Sequence, residues 1–343
     1  MLTFVLRPIL CAAVEPYLPE QADPILEPWR WREIEELNGL GVVCVDEAPD
    51  GTFWFGNIGS IAHYDGIQVE KIPLDEQLLA QIKTKTSSPM THALIVTRDE
   101  RLLMIIGHSL VCRTSNGWDV ILDKLGPAGL TTRLEQADDG TFWLMTEQGV
   151  WHISENLKKI DRIMRAKKHE DFSAFCRDHQ GTLWVVRRSN RQKVSDLIRI
   201  PIQSEGAQPE SEWLHYRLDL NIPSKEAALE EGPKGKIWYV DSEATNGIHA
   251  FDPRRKTWRK LDQPHARHPY YSLMRDRQGT LWAGGRGALF SIPKKEGFYS
   301  ASVLALPTAP LAIFEVSDGR WWVIGRVGQV YLVDLGEKRW KTY

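Results

Sequence analysis

The stretch DGTFW at Asp50–Trp54 returns at Asp139–Trp143, and its variant QGTLW stands at Gln180–Trp184 and again at Gln278–Trp282. Aligned on its glycine, the phrase falls at Gly51, Gly140, Gly181, Gly235, Gly279 and Gly319, in steps of 89, 41, 54, 44 and 40 residues. The first step is about double the others, and a degenerate copy sits midway. It is RDERLLMIIG, Arg98–Gly107, with Asp-Glu in place of Asp-Gly and Leu103 in place of Trp. Seven copies about 45 residues apart match the period of four-stranded propeller blades.

Every unit reads alike. A short apolar strand such as VVCVDEA, SAFCRD or YSLMRD runs into a tight turn, where Asp-Gly supplies the residues that tolerate positive φ. A second strand (TFWFG, TLWVV, RWWVIG) and a third (IHAFD, VYLVD) follow, and a fourth closes most units, often with an aromatic at Trp118, Trp213, Trp258 or Trp340. No helical period interrupts the pattern. The expected fold is all-β: a seven-bladed β-propeller of four-stranded antiparallel blades over residues 29–343, with motif turns near 51, 100, 140, 181, 235, 279 and 319. Residues 1–28 read as an N-terminal arm or remnant signal. The recurring aromatics Trp54, Trp143, Trp184, Trp238, Trp282 and Trp322 read as packing between blades, because a blade cannot bury both faces alone.

The termini pose a conflict. WRWREIEELNGL, Trp29–Leu40, looks like a fourth strand before the first repeat, yet the chain also ends on one, RWKTY. Trp31 and Trp340 would compete for the edge of the last blade. Either the N-terminal strand is surplus or the chain is one propeller of a longer sequence, and the second is the expectation.

Composition removes several classes of function. With 43 basic and 45 acidic residues and a net charge of −2, there is no electrostatic footprint for nucleic acid. No apolar run reaches the roughly 20 residues of a membrane helix. The cysteines, Cys11, Cys44, Cys112 and Cys176, are far apart and form no CxxC pair, so buried free thiols are expected rather than a disulfide framework or metal site. The adjacent carboxylates Glu35–Glu36, Asp138–Asp139 and Glu230–Glu231 do not make a catalytic pair, since strand neighbours point to opposite faces and the Asp pair lies in a turn. No cofactor is expected.

The phrase D-x-x-G-T-L-W, clearest at Asp178–Trp184 and Asp276–Trp282, together with LNGL at Leu37–Leu40, resembles the two-component regulator propeller repeat over about residues 29–343. In that family such propellers form the extracytoplasmic sensory part of hybrid histidine kinases and commonly respond to carbohydrates. The resemblance therefore implies a non-enzymatic sensory domain on the periplasmic or extracellular side, acting with a kinase or regulator portion or a partner protein. The chain departs from the pattern in lacking kinase and receiver portions and in the lost Gly and Trp of blade two. GKIWYVDSEATNGIHAFDP, Gly235–Pro253, more distantly resembles the streptogramin lyases, whose elimination chemistry needs a general base and a metal; no matching His and Glu set stands out. A protein-interaction scaffold is the third reading.

A ligand is expected where loops between blades meet those joining second to third strands, opposite the Asp-Gly turns. Arg187 and Arg188, in the expected loop Arg187–Asp196, join Arg286, Arg326, His265 and His268 as candidates for a basic ring. Such a ring suits a glycan or small anion, because guanidinium binds planar anions bidentately. Tyr270 and Tyr271 add stacking surface. His265 and His268, flanked by Pro264 and Pro269 without a third ligand, are expected to be loop surface and not a metal site.

Overall fold

The computed structural model describes residues 28–82, 89–114, 117–126, 132–203, 206–218, 224–243, 247–261, 269–286, 288–292, 304–305, 309–326 and 328–334. Seven four-stranded antiparallel sheets follow one another along the chain, the blades of a seven-bladed propeller. Blade one is typical. Cys44–Glu47 pairs with Phe53–Gly56, that strand with Ser60–Tyr64, and the third with Val69–Pro73. The innermost strand of each blade lies beside those of its neighbours.

The terminal conflict is resolved by pairing. Trp31–Glu33 lies antiparallel to Val330–Val333, in the register Trp31↔Val333 and Glu33↔Tyr331, and supplies the fourth strand of blade seven. The N-terminal strand is not surplus: it closes the ring. It is short, because a 3-10 turn at Glu35–Leu37 already drops Leu37 into the core. Trp340 lies outside the described residues, as do Cys11 and the N-terminal arm.

The repeated phrase is explained by two local devices. In blades four and six the Asp three residues before the glycine clamps its own motif. Asp178 accepts from the backbone of Thr182 at 2.9 Å and from the Trp184 indole N–H at 2.9 Å. Asp276 does the same with Thr280 at 2.7 Å and Trp282 at 2.8 Å. In blades one and three the Asp sits next to the glycine. Asp50 and Asp139 accept from the backbone and hydroxyl of Thr52 and Thr141, so only the turn is capped. In blade two Glu100 stands where the glycine would, at φ +64°, held in the left-handed region that favours glycine.

Buried apolar residues divide into seven clusters, one at each interface between blades. The motif aromatic of each blade packs toward the next blade along the chain. Trp54 lies between blades one and two, Trp143 between three and four, Trp184 between four and five, and Trp322 between seven and one. Leu103 fills the same place between blades two and three. This regular use at every interface is the packing role expected of the aromatics.

One element has no counterpart in the sequence reading. Glu76–Gln81, between blades one and two, is an α-helix capped by the Asp75 carboxylate, which accepts from the Leu78 N–H at 2.6 Å. Six residues are too few to show a helical period.

Candidate functional site

The Asp-Gly turns gather on one face of the ring and the second-to-third-strand loops on the other. The turn face is fastened at each interface by a polar latch. Four latches share one design, in which a side chain four residues before the turn glycine accepts from a backbone N–H of the preceding blade. Glu47 accepts from Ser317 at 2.6 Å, Gln136 from Arg98 at 3.2 Å, Glu231 from His179 at 2.8 Å and Glu315 from Arg277 at 2.7 Å. The remaining interfaces use Asp46 accepting from Val96 at 2.7 Å, Arg177 with Glu135 at 3.1 Å and Arg275 with Glu231 at 3.4 Å. All of these contacts join neighbouring blades.

The loop face differs. Lys225 pairs with Glu147 of blade three at 3.6 Å, and Glu226 with Arg326 of blade seven at 3.4 Å. Each pair reaches past the intervening blade, so the approach to blade five is tied in two directions around the mouth. The Arg326 guanidinium lies 4.7 Å from the Tyr271 ring centroid, a cation–π contact. Arg286 is exposed, and its backbone N–H donates to the Pro269 carbonyl at 3.1 Å, holding its loop beside Tyr271.

The candidates from sequence separate into groups. Arg187 and Arg188 lie in the strand Leu183–Ser189, and the loop shrinks to 190–193, because the strand pairing of blade four continues to Ser189↔Val194. Arg188 is buried and forks onto Asp171 at 2.7 and 2.6 Å, with the Asn190 amide donating to the same carboxylate at 3.0 Å. Arg187 pairs with Asp196 at 3.2 Å. Tyr270 turns into the core against Phe290, with centroids 5.4 Å apart, so its ring is not presented at the mouth. Arg326 and Tyr271 meet on the loop face, and the exposed Arg286 lies on a loop bonded through its backbone to Pro269. His265 and His268 lie outside the described residues.

Among the described residues, the innermost strands line two cavities inside the ring, of about 320 Å³ and about 240 Å³. The larger carries Arg133, Glu135, Cys176, Arg177 and Glu230. Burial pushes the Glu230 carboxyl up to about 7 and raises Glu135, and it lowers the Arg133 guanidinium. In and around the smaller cavity, burial pushes the Cys44 thiol and the Asp46 carboxyl up, to about 12 and about 7, and holds His92 down near 4. Cys44, Cys112 and Cys176 are free thiols. Glu230 and Glu231 do point to opposite faces: Glu231 enters the latch to His179 and Arg275, while Glu230 lines the cavity. Sequence reasoning missed Arg133 and did not place Glu230 in a cavity. The signal was position in the repeat: Glu230, like Glu135 and Cys176, stands five residues before its turn glycine, and Arg133 seven before its own.

No family model and no curated protein matches the sequence. Solved structures do. A streptogramin B lyase is similar over 88% of this chain and 96% of its own, at 14% identity and TM-score 0.62. The extracellular domain of the hybrid two-component system protein BT3049 from B. thetaiotaomicron is similar over 89% of this chain, at 13% identity and TM-score 0.64; this chain spans 42% of it. YCF48 bound to D1 peptide matches over 89% of this chain and 96% of its own, at 14% identity and TM-score 0.63. Both kinds of propeller that the sequence resembles are thus among the structural neighbours, and at these identities the likeness is one of fold. Among the described residues, no helix is long and apolar enough to cross a membrane.

Proposed function

We propose that this propeller is a non-enzymatic, sensory-type binding domain that takes an acidic glycan or another small anion at its loop face. The observation that carries the reading is the grouping of Arg326, Tyr271 and Arg286 at the mouth. One guanidinium over an aromatic ring, with the exposed Arg286 on the adjoining loop, offers bidentate contacts to a carboxylate or sulfate and an apolar wall for a sugar. Arg326 is held by Glu226 at 3.4 Å in a half-exposed pair, the weak kind of ion pair that an incoming anion can replace. The propeller neighbours add a precedent of fold, an extracellular domain of a two-component system. A role on the extracytoplasmic side, with a kinase portion or partner protein reading the bound state, follows from the same proposal.

The test is thermal shift and calorimetry against neutral and acidic oligosaccharides, with and without divalent metal. A ligand that binds only the folded state raises the melting temperature with concentration. An acidic glycan should do so without metal, and Arg286→Ala and Arg326→Ala should each weaken it by about tenfold. Unchanged affinity in both variants would remove the mouth as the site, and a shift that requires metal would favour a lyase-like enzyme.

A further inference from the structure

We infer that the smaller channel cavity is a binding site, separate from the mouth, for a small uncharged alcohol or phenol whose apolar body is about one ring in size. Its lining comes from the innermost strands of blades one, two, three, six and seven. Most of it is apolar, with Val45, Leu94, Leu134, Ile313 and Phe314 among the walls. The repeat explains how one polar side chain joins them. Eight residues before the turn glycine, or before Glu100 in blade two, four blades carry a β-bulge, at His92, Ser173, Tyr271 and Leu311. A bulged residue has no partner across the ladder, and its side chain is re-aimed. Tyr271 meets Arg326 on the loop face, whereas His92 and Leu311 line the cavity.

Hydrogen bonding decides the class of ligand. The Ser272 hydroxyl donates to the Pro310 carbonyl at 3.3 Å, the Cys44 thiol to that of Thr91 at 3.7 Å and the Arg133 guanidinium to that of Thr132 at 3.1 Å. These polar groups of the lining are engaged within the protein and are not counted toward a ligand. His92 is different. Its Nδ1 is buried and has no hydrogen-bond partner among the described residues, and such an atom is costly to leave unmet. Burial, with His108 nearby, holds the imidazole down near 4, so the ring is neutral at pH 7. A neutral imidazole nitrogen accepts or donates according to its tautomer, and a hydroxyl answers both cases. A net charge would lose its water against apolar walls, which disfavours carboxylates and amines. An apolar cavity of about 150 Å³ already holds benzene, so about 240 Å³ has room for one substituted ring.

The experiment is calorimetry on the intact chain with p-cresol, compared with p-xylene, its isostere without the hydroxyl, and with p-toluate, its charged counterpart. The cresol should bind about tenfold more tightly than the xylene, the effect of one buried hydrogen bond, and should exceed p-toluate by at least as much. His92→Phe keeps a ring in place and should remove the preference for p-cresol over p-xylene. Ala312→Leu, which fills part of the cavity, should weaken both, while Arg326→Ala should change neither. The comparison of probes on the unmodified protein stands even if a cavity variant fails to fold. No binding of p-cresol, equal binding of p-cresol and p-xylene, p-toluate as the tightest probe, or an undiminished preference in His92→Phe would each overturn the inference. Loss of p-cresol binding in Arg326→Ala would overturn it in favour of a single site at the mouth.

Discussion

The two faces of this ring use charge in opposite ways. On the turn face each interface has a latch beside its turn, four of them of one design, and the donor and acceptor belong to neighbouring blades. On the loop face the pairs Lys225–Glu147 and Glu226–Arg326 skip a blade, repeat nowhere else among the described residues, and leave a guanidinium stacked on Tyr271 at the rim. Regularity marks what every blade needs in order to pack. Irregularity marks what only one part of the ring does.

The sharpest way to break this contrast is to remove one charge from each face. Glu231 has a side chain only 3% exposed and serves the His179 backbone N–H, the His179 ring and Arg275. Glu231→Ala should destabilise the fold by about 2–3 kcal/mol, because the His179 backbone N–H, the His179 ring and the Arg275 guanidinium all lose one buried acceptor. Arg326→Ala removes a side chain 44% exposed, and should change stability by less than about 1 kcal/mol. Urea denaturation of both variants reads the difference. Comparable losses would mean that the loop face is as structural as the turn face.

A second, intermediate effect sharpens the contrast between adjacent carboxylates. Glu230, unlike Glu231, gains a raised value, from the ordinary 4.5 to about 7, through burial in the channel. Between those values the folded chain keeps a proton that the unfolded chain has released, so stability falls as pH rises from about 4.5 to 7 and is level above. Asp46, moved from 3.8 to about 7, acts in the same direction. His92, moved from 6.5 down to about 4, acts in the opposite one. Glu230→Gln isolates the first group. Against the parent, the variant should match near pH 4, gain progressively to pH 7, and keep the gain at pH 8. A difference that does not vary with pH would show that Glu230 titrates normally.

The architecture was legible because the turn chemistry is local. The turn glycine and the Trp three residues after it write the same geometry into six copies, and the spacing gives the seventh. The closing strand was ambiguous because Trp31 and Trp340 carry the same signal and only pairing with Val330–Val333 separates them. The site was harder to read for a physical reason. Arg187 and Arg188 look like loop cations, yet Asp171 and Asp196 lie across the sheet from them, and that pairing is invisible along the chain. Tyr270 and Tyr271 are neighbours on one strand, so one must face inward. Arg133 was overlooked because its place in the cavity lining is set by strands of other blades, among them those that carry Ala174 and Ala228.

The smallest effect tests the repeat itself. Glu100 is exposed and holds φ +64° at the position that other blades give to glycine, for example Gly51 at +82° and Gly140 at +85°. A side chain in that conformation costs about 1 kcal/mol relative to glycine, and Glu100 makes no turn-capping bond of the kind that Asp50 makes. Glycine also loosens the unfolded chain, which offsets part of the gain. Glu100→Gly should therefore stabilise the protein by about 0.5 kcal/mol, with Leu103 still filling the interface between blades two and three. Thermal melts at matched concentration would resolve it. A loss of stability would mean that blade two had drifted from the phrase because its turn face uses Glu100, and the rule that regular positions serve packing alone would then fail at that blade.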